Sequence, residues 1–138
     1  MRDGSAAPIA PAVTGRVIGI GVDIIEIDRV RQAVERGGDR LLRRVFTEVE
    51  TRYSLSRRYP ARHLAARFAA KEAVVKALRV PPGLGWLWRD IEVERGEGPP
   101  SIRLEGRAAE RGRALGVSTC HLSLSHSDTH AVAIVVLG

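Results

Sequence analysis

The chain's 138 residues suffice for one domain with a modest core, and with aromatics at only 4% aliphatic side chains must fill it. Twenty-two Lys and Arg against 16 Asp and Glu leave a net charge of +6, which favours an anionic partner: nucleic acid, a phosphorylated small molecule or an acidic protein. The single cysteine, Cys120, excludes an intrachain disulfide and a cysteine-based metal centre within one chain, and no apolar run is long enough to span a membrane.

Residues 1–15 are rich in Ala and Pro and lack an apolar stretch behind a basic start, so they read as a disordered extension, not a signal peptide. With one thiol and no membrane span, the expected location is the cytoplasm. The remainder, 16–138, reads as a single domain. Residues 17–25 are β-branched and apolar, predicting a buried strand, with Gly19 and Gly21 letting another segment approach closely. Asp23 interrupts that run. It is either a turn or cap residue or a carboxylate on a rigid strand end, a good place for a metal ligand.

Asp28 is placed to cap a helix over 29–36, ended by Gly37 and Gly38, and a second short helix is predicted over 40–45. Six arginines fall between positions 29 and 44, which makes this either a solvated face or a dock for an acidic partner. Thr47 and Glu50 have the spacing of a capping box, opening a helix that should end near Arg58, before Tyr59-Pro60. Residues 62–79 contain no Gly or Pro and predict the longest helix. Leu64, Ala65, Phe68, Val75 and Leu78 mark its apolar face, and Glu72 lies on that face with Arg67, Lys71 and Lys76 around it. Glu72 is either paired with Lys76 at i,i+4 or part of the wall of a metal–phosphate site.

Trp86 and Trp88 read as core or subunit-interface anchors. Period-two alternation at 91–94 and 101–104 around a turn at 96–100 predicts a hairpin, followed by a helix over 106–115 stopped at Gly116. A second hairpin pairs 117–125 with 131–137 through 126–130, and the wholly apolar last strand should be central. The fold class is α+β: an antiparallel sheet of four or five strands packed on one long helix, with shorter helices.

Several chemistries fail. Gly19 and Gly21 sit inside a strand and open no helix, so the dinucleotide fingerprint is absent, as is a Walker sequence. Ser125 and His126 are strand neighbours that point to opposite faces, which argues against a nucleophile–base pair. Four His and one Cys show no zinc spacing. Asp23 and Glu72 remain, oxygen ligands of the kind that suit Mg²⁺.

Three segments occur in a telling order: Gly19-Ile-Gly-Val-Asp23 with Arg29, Arg67-Phe-Ala-Ala-Lys-Glu-Ala73 with Lys76, and Ser123-Leu-Ser-His126 before Ala131-Val-Ala133. Over about 17–137 the chain thus resembles the holo-acyl-carrier-protein synthase type of 4′-phosphopantetheinyl transferase. The resemblance implies that family's fold and Mg²⁺-dependent transfer of 4′-phosphopantetheine from coenzyme A to a serine of apo acyl carrier protein, releasing adenosine 3′,5′-bisphosphate. By motif, Asp23 and Glu72 hold the metal, and Glu72 and Lys76 are catalytic. Arg67, Lys71, Lys76 and His126 become candidates for coenzyme A phosphates, although Lys71, next to Glu72, points off its face. The serine proton is left to Glu72 or to a bound water. Arg29 and Arg36 become a docking surface for the acidic carrier, and the short type implies a homotrimer with sites between subunits. His130 departs from the aromatic usual in the family, and Pro99 from a common Lys. A nucleic-acid-binding module would suit the charge but leaves Asp23 and Glu72 unexplained. A Mg²⁺-dependent phosphohydrolase could use the same carboxylates.

Overall fold

A computed structural model describes residues 15–81, 85–95 and 98–138. Residues 1–14 of the predicted N-terminal extension, 82–83 of the segment 80–83 expected to end the long helix, and 96–97 of the hairpin turn lie outside the described residues. In chain order the elements are β1 (Gly19–Glu26), α1 (Ile27–Val45), α2 (Glu48–Leu55), α3 (Pro60–Ala77), a 3₁₀ turn (Gly85–Asp90), β2 (Ile91–Glu94), β3 (Ser101–Leu104), α4 (Gly106–Leu115), β4 (Cys120–His126) and β5 (His130–Leu137). No described helix is long and apolar enough to cross a membrane.

The strands form two antiparallel sheets, not one: β1-β5-β4, with the apolar β5 central as expected, and the separate hairpin β2-β3. The helix α3 is the hub, joining both sheets in one core. Its small side chains Ala69, Ala70, Ala73 and Ala77 pack with Val74 and Leu78 against Ala133, Val135 and Leu137 of β5 and against Ile91 and Val93 of β2. A second cluster joins Leu64 and Ala65 to Val30, Leu42, Val45 and Phe46 from the α1 region.

The glycines of β1 explain how closely strand and helix approach. A Cβ on Gly19 would lie 2.0 Å from the Ala77 carbonyl oxygen, and one on Gly21 would lie 1.9 Å from that of Ala73. Only glycine fits there. The crossing runs antiparallel, since a later strand residue meets an earlier helix residue, and this carries Asp23 towards the middle of α3.

Four expectations about the helices change. The two short helices are one, α1, kinked at Gly38, whose φ of 53° and ψ of −144° a non-glycine residue rarely adopts. Asp28 does not cap it but pairs within its first turn with Arg31 at 2.6 Å. The Thr47 capping box forms with both reciprocal bonds, yet α2 stops at Leu55, short of Arg58. Pro60 occupies the first turn of α3, where its missing N–H costs nothing, so that helix begins two residues early.

The strand β1 is not buried on both faces. Ile20, Val22 and Ile24 are 63, 55 and 64% exposed. The register sets them level with Val136, Ile134 and Val132 on β5, and those with His121, Ser123 and Ser125 on β4. The outer face of the sheet is therefore apolar along two of its three strands.

Candidate active site

Asp23 and Glu72 arrive from different elements. Asp23 leaves β1 two residues after the Gly21–Ala73 contact, and Glu72 precedes Ala73 on α3. Both line one cleft of about 520 Å³ together with Arg29, Arg44, Phe68 and Trp88. Lys76, one turn after Glu72, completes the group. Its ammonium donates to Asp23 Oδ1 at 3.1 Å and to the Val22 carbonyl at 2.9 Å, bridging strand and helix. The helical Glu72–Lys76 pair does not form, because the strand offers Lys76 two acceptors. Glu72 instead accepts from the indole Nε1 of Trp88 at 3.1 Å.

The pair is open. The Lys76 side chain is 54% exposed and that of Asp23 18%. Among the described residues, Oδ2 of Asp23 and Oε2 of Glu72 accept no hydrogen bond. No group of three or more His, Cys, Asp or Glu placed to hold a metal ion occurs among the described residues. Two carboxylates with a free oxygen each, on rigid elements beside a cleft, form a donor set that fits a hard cation such as Mg²⁺, whose other positions go to water and phosphate oxygens.

The remaining expected phosphate ligands are elsewhere. Lys71 is fully buried, and its three donors are all engaged: Glu50 Oε1 at 2.7 Å, the Trp88 carbonyl at 2.7 Å and the Ile91 carbonyl. It has no donor left for a phosphate, which corrects its assignment to coenzyme A. Burial lowers the Lys71 pKa, and the Glu50 carboxylate counters it. Arg67 is buried on the side of α3 that faces α2, its guanidinium 4.4 Å from the centre of the Tyr53 ring and donating to the His63 carbonyl at 3.2 Å. Its Nε has no hydrogen-bond partner among the described residues. Neither residue lines the cleft. His126, exposed at the end of β4, lies within 3.4 Å of the Ser127 carbonyl through Nδ1 and is also off the cleft wall. Of the two arginines expected to dock a carrier, Arg29 lines the cleft, whereas Arg36 lies outside it, donating to the Gln32 carbonyl at 3.4 Å.

Two cleft residues escaped the sequence reading. Arg44 was one unremarked member of the arginine run, and its guanidinium lies 5.9 Å from the Trp88 ring centre. Trp88 read as an anchor; only its spatial proximity to Glu72 reveals the hydrogen bond.

A family model described as the 4′-phosphopantetheinyl transferase superfamily matches residues 19–135. The chain belongs to this superfamily. As a phosphopantetheinyl transferase homologue it is 43% identical over 122 residues to the holo-[acyl-carrier-protein] synthase of Koribacter versatilis, covering 88% of this chain and 98% of that one. The crystal structure of the Neisseria meningitidis holo-[acyl-carrier-protein] synthase superposes with a TM-score of 0.79 at 29% identity, covering 89% of this chain and 99% of that chain. The Helicobacter pylori synthase, solved in complex with coenzyme A, gives 0.73 at 30% identity over 86 and 99% of the two chains.

Proposed function

We propose that this chain is a holo-acyl-carrier-protein synthase, transferring 4′-phosphopantetheine from coenzyme A to a serine hydroxyl of apo acyl carrier protein. The observation that carries the reading is the meeting of Asp23 and Glu72 on one cleft, each inside a family motif, in a chain similar to synthases along nearly its whole folded length. The coenzyme A complex of the Helicobacter pylori homologue supports that substrate.

Asp23 and Glu72 would hold a Mg²⁺, which when bound would supply charge neutralisation at the phosphates as the phosphoanhydride breaks. Lys76, tied to the strand by Val22 and half-exposed, presents an ammonium to the same phosphates. The serine oxygen attacks the phosphorus that carries the pantetheine arm, and the bond to adenosine 3′,5′-bisphosphate breaks. The serine proton passes to Glu72 or to a water held by the carboxylates. Arg29 and Arg44 at the mouth, with Arg36 further along α1, meet the acidic carrier and steer its approach.

The outer face of the β1-β5-β4 sheet supports assembly. Ile20, Val22, Ile24 and Ile134 form an exposed apolar patch that a second and third copy would cover, giving a homotrimer in which His126 serves a neighbouring cleft. Residues 16–138 act as one domain, and the enzyme works in the cytoplasm.

The test is direct. The chain is incubated with coenzyme A, Mg²⁺ and apo carrier protein, and the carrier is weighed by mass spectrometry. A gain of one phosphopantetheinyl group, abolished by chelator, is expected. No gain with any acidic carrier would sink the reading, and phosphate release without carrier modification would point to a phosphohydrolase.

A further inference from the structure

Glu72 is oriented by a part of the chain remote from its own helix. Trp88 stands in the 3₁₀ turn between α3 and β2, and its indole N–H donates to Glu72 Oε1 at 3.1 Å. Its backbone carbonyl accepts from Lys71 Nζ at 2.7 Å. Lys71 in turn is fixed by Glu50, whose other oxygen accepts from the Val93 amide at 2.9 Å, and by the Ile91 carbonyl. The indole packs on Phe68, ring centres 5.7 Å apart, beside the Arg44 guanidinium. Main chain and ring are therefore both held, and the N–H has one place to point.

An indole N–H donates and cannot accept, so it occupies one carboxylate oxygen and leaves the other open. Partners of this kind fix the orientation of a ligating carboxylate, and their loss commonly costs roughly 10–100-fold in metal affinity or activity.

We propose that Trp88 is a positioning residue for Glu72, anchored through its carbonyl by the buried Lys71–Glu50 pair. The proposal rests on the reading of Glu72 as a metal ligand. It gives the Lys71–Glu50 pair a role in the site although neither residue touches substrate. A phenylalanine at position 88 keeps an aromatic ring against Phe68 but lacks the donor and part of the indole's volume. The thermal midpoint must therefore be read beside the metal affinity to separate lost packing from the lost N–H.

Trp88→Phe removes the donor while keeping an aromatic ring. Mn²⁺, which takes the same oxygen ligands, serves as the probe, its free fraction read by electron paramagnetic resonance on the full chain. Trp88→Phe should weaken Mn²⁺ binding roughly tenfold or more while the thermal midpoint stays within about 4 °C of wild type. In the transfer assay its half-saturating Mg²⁺ should rise by a similar factor with KM for the carrier unchanged. Mn²⁺ affinity equal to wild type overturns the positioning role and leaves Glu72 a ligand, provided Glu72→Gln has lost Mn²⁺. A weakened affinity accompanied by a large fall in thermal midpoint overturns it in favour of a structural role. If Glu72→Gln binds Mn²⁺ as wild type does, the ligand reading fails and the positioning role with it.

Discussion

Two lysine–carboxylate pairs use the same helix and differ in almost everything else. Lys71 pairs with Glu50 in a closed setting: both side chains are fully buried, all three ammonium donors are taken, and Glu50 also accepts from the Thr47 and Val93 amides. Five residues on, Lys76 pairs with Asp23 in an open one, where half of the lysine meets solvent and a carboxylate oxygen is left over. A buried pair survives only if every polar atom is matched, and matching leaves nothing for a ligand. An exposed pair contributes little stability, so its groups can be redirected to a cation or a phosphate. The first pair locks α2, α3 and β2 together; the second is where chemistry can occur.

Removing one partner of the closed pair should have the largest effect on stability. Glu50→Ala strands the Lys71 ammonium in the core and should cost about 3–5 kcal/mol in urea denaturation. A loss below about 1 kcal/mol would erase the contrast between the pairs. Next comes Gly21→Ala, whose new Cβ would stand 1.9 Å from the Ala73 carbonyl oxygen. Parting β1 from α3 should cost about 1–3 kcal/mol. It should also lower transfer, because those two elements carry the two carboxylates. Lys76→Ala should cost at most about 1 kcal/mol, in keeping with its exposure, yet reduce kcat roughly 10²-fold on the proposed role of Lys76 as a donor to the reacting phosphates. Unchanged kcat would remove Lys76 from the chemistry.

The smallest effect concerns Cys120, which shows what partial burial does without a counter-charge. Its thiol is pushed up to about 11 by burial, from an ordinary 9.0. Between those values the unfolded chain has lost the proton that the native chain keeps, so stability declines as pH rises through that window. Alkylation of native Cys120 should follow a midpoint near 11, and in urea one near 9. A native midpoint near 9 would show the thiol to be fully solvated.

Much of this was readable in the sequence wherever a local rule acted alone. Gly19 and Gly21 announced a close approach, Thr47 and Glu50 a helix start, and the unbroken apolar run of β5 a central strand. Asp23 and Glu72 stood out as charges on apolar elements. What escaped depended on partners distant in the chain. Helical spacing turns Lys71 away from Glu72's face but cannot say that Glu50 and two carbonyls wait on the other side. Alternation in β2 and β3 predicts a hairpin but not that it forms a sheet of its own. At Gly38 the glycine marked a break, yet the chain resumes the helix after a kink, because Leu42, Val45 and Phe46 continue into the core. Trp88 carries no local signal of its hydrogen bond.

The most direct measurement is Glu72→Gln, examined side by side for thermal unfolding and for Mg²⁺-dependent modification of apo carrier protein. The open-site account predicts a thermal midpoint close to wild type and transfer reduced to background. A variant that unfolds like Glu50→Ala, or that turns over like wild type, would contradict it.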